Sequence, residues 1–171
     1  MPNSINGWPV LDNPPWGDPR AKKAILDGIG TQLWIQRDCW PLFAAIVRDY
    51  HKGINVVHSS DGYDYRQSRT SGNWSNHASG TAVDINADAE GAAGTGPLAW
   101  WRKMQRSRRA AKIRDRYEIV LWGGATQCGG DYGPGWWDWM HWELKPGTTV
   151  ADVRRVIKKL GIDENGRRAK A

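Results

Sequence analysis

Ser75-Asn76-His77-Ala78-Ser79-Gly80-Thr81-Ala82-Val83-Asp84-Ile85-Asn86 joins a turn of small residues to a strand. From Thr81 to Asn86 the side chains alternate, so Val83 and Ile85 face one side while Ala82, Asp84 and Asn86 face the other. Asp84 thus lies on a polar face. Gly80 and Ala82 leave room for backbone and ligands to approach closely, and Ser75 or Asn76 is placed to hydrogen-bond nearby loop backbone. A second alternation, Asp138-Trp139-Met140-His141-Trp142-Glu143, puts Met140 and Trp142 on one face and His141 with Glu143 on the other. His141 therefore points away from the expected core.

Two neutral imidazoles and one carboxylate are a common ligand set for a catalytic zinc, which keeps a fourth position open for water. His77, Asp84 and His141 supply that set, and Asp138, three residues before His141, is near enough to serve as general base without being a ligand. Glu143 is a candidate acceptor for an imidazole N–H. Spacing alone leaves other readings open. His77 is equally readable as a loop histidine bonded to local backbone, His141 as a strand histidine satisfied by Glu143, and His58 as a rival ligand at a strand end. Asp84 also reads as an ordinary carboxylate near a turn, and Asp138 as the end of a loop.

The two segments resemble the zinc motifs of the D-alanyl-D-alanine carboxypeptidase and L-alanyl-D-glutamate endopeptidase family, within the lysostaphin and hedgehog-type metallopeptidase group. The pattern S-x-H-x-x-G-x-A-x-D is met at Ser75, His77, Gly80, Ala82 and Asp84, and an acidic residue, two spacers and His-aromatic-Glu at Asp138, His141, Trp142 and Glu143. The resemblance spans about residues 38–145. It implies His77, Asp84 and His141 as ligands of one zinc ion per chain and Asp138 as the base. It also implies an upstream arginine on the substrate, here Arg66, with Arg69 close behind. The segment from Arg66 to His77 is shorter than in many members, and a solvated loop arginine is the plain alternative for each.

The chain has 171 residues, 40% hydrophobic and 25% charged, a globular composition of one-domain size. No apolar run approaches the roughly 20 residues of a membrane helix, and the N-terminus lacks the basic start and apolar stretch of a secretion signal. Synthesis in a cytoplasm is the expectation. Cys39 and Cys128 lack thiolate-site spacing and are expected as free thiols, with a single bridge left open. The net charge of +6 suits an acidic partner, either anionic wall polymers or nucleic acid. The densest basic stretch, Arg102 to Arg116, reads as a solvated helix face or as a nonspecific contact to an anionic wall, and no nucleic-acid readout motif accompanies it. Twelve tryptophans accompany one phenylalanine. Most are expected in the core, while Trp136 and Trp137, in a Gly-Pro-Gly loop before Asp138, are candidates for lining a substrate groove.

Residues 1–17, with four prolines, read as an irregular arm. Helices are expected from Asp18-Pro19 to about Asp27, over Asp38 to Lys52, from Pro97 to about Arg116, and from Val150 to Leu160 with Thr148 or Thr149 as cap. His51 falls in the last turn of the second helix, where a cation is favoured without any metal. Strands are expected at Ile54–His58, Thr81–Asn86, Glu118–Trp122 and Met140–Leu144, with loops at Ala87–Gly96 and Gly123–Gly135 and a frayed basic tail over 162–171. That order predicts an α+β domain, with helices on one side of a small, mainly antiparallel sheet. The resemblance implies the same hedgehog and D-Ala-D-Ala-peptidase-like fold, and peptidoglycan stem peptides as substrate, cut at a D-Ala-D-Ala or L-Ala-D-Glu bond. It suggests a monomeric phage endolysin or its peptidase domain, accumulating in the infected host's cytoplasm and reaching the wall after membrane breach. A cellular carboxypeptidase or dipeptidase, and a zinc-retaining wall-binding module without catalysis, are the alternatives.

Overall fold

The computed structural model describes residues 1–53, 55–68, 71–90, 126–128, 138 and 140–168. It is an α+β arrangement with two antiparallel sheets where the sequence suggested one. The first is a hairpin of β1 (Ala21–Ile25) and β2 (Gln32–Gln36). The second has the order β3-β4-β6-β5, with β3 at Ser60–Asp61, β4 at Ala82–Ile85, β5 at Thr126–Cys128 and β6 at His141–Leu144. The helices are α1 (Trp40–Gly53), a single turn α2 (Ala87–Glu90) and α3 (Val150–Lys159).

Helix α1 forms where helical spacing predicted it, entered through a 3-10 turn at Arg37–Cys39. Its buried face carries Leu42, Phe43, Ile46, Val47 and Tyr50. Those side chains share one core with Val83 and Ile85 of β4, Trp142 and Leu144 of β6, and Val153 and Val156 of α3. One face of the four-stranded sheet is therefore apolar, and alternation leaves Asp84, His141 and Glu143 on the other. At α3, Thr149 and Asp152 form a capping box, each satisfying a backbone N–H of the first turn.

The helix predicted to end near Asp27 is strand β1. Gly28 and Gly30, at φ of +77° and +86°, turn the chain so that Ala21–Ile25 pairs with Gln32–Gln36, and that pairing overrides a helix-compatible composition. Residues 55–59 are not a strand. The Asn86 amide takes up their backbone instead, accepting from His58 N at 2.8 Å and donating to Val56 O at 2.8 Å, and pairing begins only at Ser60. Part of the supposed loop 123–135 is β5, whose Thr126–Cys128 pairs with Leu144–Trp142. Ala87–Glu90 is a helical turn within the supposed loop 87–96.

The tail does not fray over 162–168: Ile162 bridges to Arg168, Asp163 Oδ1 accepts from Asn165 N and Arg167 N, and Arg168 pairs with Asp49 at 2.7 Å. The expected helix 97–116, with its basic stretch, and the expected strand 118–122 lie outside the described residues. Cys39 and Cys128 are buried and form no disulfide. No helix among the described residues is long and apolar enough to cross a membrane.

The arm does cover the domain. Trp8, Val10 and Leu11 are buried, and Leu11 N donates to Ala78 O at 2.9 Å. Gly80, at φ +64°, lies against β2, where Gln36 N donates to its carbonyl at 2.8 Å. A Cβ there would stand 2.6 Å from Gln36 N and 3.0 Å from Leu11 Cδ1. Gly80→Ala is expected to lower stability by about 3 kcal/mol through left-handed strain plus a clash with fixed backbone, measured by urea denaturation.

Candidate metal centre

Strand register creates the site. Asp84 of β4 and His141 of β6 are direct antiparallel partners, so their side chains leave the sheet side by side on the polar face. A one-residue slip between the two strands would break this pairing and separate the two side chains. His77 arrives from the turn before β4. His77 N donates to Ser75 Oγ at 3.3 Å, Ala78 N to Ser75 O at 3.0 Å and Gly80 N to His77 O at 2.9 Å. Ser75 is thus the buried anchor of the turn that carries His77.

The three donor atoms converge. His77 Nε2 lies 3.1 Å from His141 Nδ1 and 3.3 Å from Asp84 Oδ1, and His141 Nδ1 lies 2.8 Å from Asp84 Oδ1. An ion held tetrahedrally at about 2.0–2.2 Å sets its donors roughly 3.3 Å apart, so the spacing fits a small metal ion after a slight expansion. His77, Asp84 and His141 are a set able to hold one metal ion.

The hydrogen bonds behind the donors fix their tautomers. Gly62 O, which can only accept, lies 2.5 Å from His77 Nδ1, so that nitrogen carries the proton and Nε2 keeps its lone pair for the site. Glu143 Oε2 accepts from His141 Nε2 at 3.0 Å, leaving Nδ1 to face Asp84. Glu143 is itself held by Asn76 Nδ2 and by Gln127 Nε2, the latter at 2.6 Å. Asn76 Oδ1 in turn accepts from Asn6 N of the arm at 2.9 Å. A buried polar chain therefore runs from Asn6 through Asn76 and Glu143 to His141. Such outer partners orient a ligand and raise its basicity. Glu143→Gln keeps the shape but removes the charge, and calorimetric titration with zinc is expected to show affinity about 10–100-fold weaker.

Burial would raise the Asp84 carboxyl, but its bonds to His141 and His77 and their charge outweigh this and hold it well below the usual carboxylate range. Burial opposes charge on His141, yet the hydrogen bonds to Asp84 and Glu143 prevail and push its pKa up to about 10. At neutral pH without metal, a proton occupies the place of a cation between the two carboxylates. In the metal-free protein this stabilisation is fully present below the ordinary histidine value of 6.5 and is lost as pH rises through about 10. A metal ion must displace that proton. Apparent zinc affinity is therefore expected to strengthen about tenfold per unit of rising pH through neutrality, with one proton released per ion, as titration in buffers of different ionisation enthalpy would read.

Asp138 stands beside the cluster. Burial raises its carboxyl above the ordinary value; the charge of His141 opposes this and that of Asp84 adds to it. Its Oδ1 is buried with no hydrogen-bond partner among the described residues, while its backbone carbonyl accepts from His141 N at 3.2 Å.

Other candidates fall elsewhere. Arg66 lies alongside the His77 turn, where its carbonyl accepts from Ser75 N at 3.1 Å, but its guanidinium pairs with Asp64 at 2.6 Å. His58 is exposed and is not among the converging donors. His51 Nδ1 accepts from Val57 N at 3.2 Å, a structural role. Arg69, Trp136 and Trp137 lie outside the described residues. Sequence reading missed Gly62, Gln127 and Asn6 around the site, and it placed Asn76 against loop backbone without its bond to Glu143. Asn76 and Gln127 act through side-chain amides, Asn6 through its backbone N–H and Gly62 through its carbonyl, so only the fold reveals these contacts.

Compared with protein-family models, curated proteins and solved structures, the chain gives no match.

Proposed function

We propose that the protein is a zinc metallopeptidase of hedgehog and D-Ala-D-Ala-peptidase type that hydrolyses an amide bond in peptidoglycan stem peptides, a lytic enzyme of the phage endolysin kind. One observation carries this reading. The donors of His77, Asp84 and His141 converge beside a buried Asp138 oxygen without a described partner, and these residues are the ones that match both motifs. Zinc held there would supply Lewis acidity to the scissile carbonyl and to water.

The remaining work falls to the chain. Asp138 Oδ1 accepts the proton of the attacking water as its oxygen bonds to the carbonyl carbon, and returns it to the leaving nitrogen as the C–N bond breaks. A carboxyl raised by burial is suited to holding that proton between the two steps. Gly62 O and Glu143 keep the two imidazole rings aimed throughout. Arg66 reaches a substrate carboxylate or carbonyl by exchanging Asp64 for it, an ion pair that is partly exposed and therefore weakly held. The excess positive charge, with a pI near 9.5, draws the protein to an anionic wall.

The test is mass spectrometry of purified peptidoglycan after incubation with the zinc-loaded protein. New free amino and carboxyl termini within the stem peptides are expected. Retained zinc with intact peptides would overturn the catalytic reading in favour of a wall-binding module.

A further inference from the structure

We infer that the cleft beside β3 is a saccharide subsite, which seats a pyranose ring of the glycan against Trp34 and Tyr63, with Trp16 stacked on Trp34 at its side. The inference rests on the peptidoglycan reading only for the identity of the sugar. The cleft holds about 380 Å³ and is lined by Trp34 and Tyr63 together with Gln32, His58, Ser59 and Asp61. That volume lies within the range of small-ligand sites.

The aromatic wall is preassembled. Trp16 stacks on Trp34 at 6.3 Å between centroids and 27° between planes, and Trp34 meets Tyr63 at 5.6 Å. The Tyr63 hydroxyl donates to Asp12 O at 3.0 Å, which fixes its ring. Trp16 is 78% exposed, so its indole serves no core, and an exposed flat apolar surface of this kind marks a contact site. In the same lining, the side chains of Gln32, His58 and Asp61 have no hydrogen-bond partner among the described residues and are exposed. Aromatic rings and free donors and acceptors lining one cleft match a pyranose, with its C–H face and its rim of hydroxyls. No Lys or Arg is among the lining residues, although Lys23 Nζ lies over the Trp34 ring, and the carboxylate of Asp61 in the lining disfavours anionic ligands.

The cleft adjoins the metal centre. Gly62 lines it and its carbonyl also accepts the hydrogen bond from His77 Nδ1, while Asp61 is the strand partner of Asp84. A sugar seated there would hold its attached peptide close to the converging donors. Effective concentration would then favour glycan-linked peptide over free peptide.

The probe is the tetrasaccharide of N-acetylglucosamine, titrated into the full chain and followed by NMR of the tryptophan indole N–H groups. Saturable binding is expected, with the Trp16 and Trp34 signals shifting and with affinity weakened about tenfold in Trp16→Ala. Asp61→Ala is expected to weaken it as well, and both side chains are exposed, so neither variant should unfold. Absence of saturation through the millimolar range would overturn the inference, as would wild-type affinity in both variants. The probe carries no peptide, so failure here leaves the peptidase reading intact. A protein that binds the sugar yet releases no stem-peptide fragments would instead sink only the peptidase reading.

Discussion

Asp138→Ala is expected to retain the metal ion and to lose amide hydrolysis by about 10²–10⁴-fold, the usual contribution of a positioned general base. Its side chain is not among the converging donors, so removing it leaves the ligand set complete. Its buried oxygen has no partner among the described residues, and truncation therefore breaks no described side-chain hydrogen bond. Removing a half-buried carboxylate whose Oδ1 has no described hydrogen bond relieves part of a desolvation penalty, so stability should change little. Lost fragments with unchanged metal content and a nearly unchanged melting temperature would separate a catalytic role from a structural one. Fragment yields equal to wild type would remove Asp138 from the chemistry.

His77→Ala is expected to reduce zinc affinity by more than the 10–100-fold typical of an outer partner, because it deletes one of three donors. Linkage gives a second readout. Ligand present at about 100 times its Kd adds about 2.7 kcal/mol of stability, so zinc should raise the wild-type melting temperature and leave that of His77→Ala nearly unchanged. His77 is only 2% exposed and its Nδ1 serves Gly62, so the variant also opens a buried cavity. His58→Ala is the contrast, since His58 is exposed and outside the cluster, and it should keep wild-type affinity.

The residues of the site were legible because alternation within two short segments placed Asp84 and His141 on polar faces, and β4 and β6 keep that alternation. What alternation cannot convey is register across a gap of 57 residues. A slip of one residue between β4 and β6 leaves each segment's own pattern intact while separating the donors. The partners behind the ligands were hidden for a related reason. Asn6 lies 70 residues from Asn76, and an asparagine in an irregular arm reads the same whether or not it braces a buried network. Gly62 contributes a carbonyl, which every residue has.

The hairpin β1–β2 escaped because Ala21 to Ile25 suits a helix locally, and only pairing with Gln32–Gln36 makes it a strand. There, Lys22 and Lys23 lie over the rings of Trp40 and Trp34, at 3.8 and 4.5 Å from the centroids. These contacts suit a strand but leave no periodic trace in the sequence. The Asp27-Gly28 pair was the available signal, since Asp-Gly favours a hairpin turn as readily as Gly ends a helix.

X-ray absorption at the zinc edge, on protein loaded to saturation, tests most directly whether the three side chains share one ion. One zinc per chain is expected, bound by two imidazoles and one carboxylate, with one imidazole missing from the shell in His141→Ala. A protein that takes up no zinc at neutral pH, or a zinc environment left unchanged by His141→Ala, would contradict it.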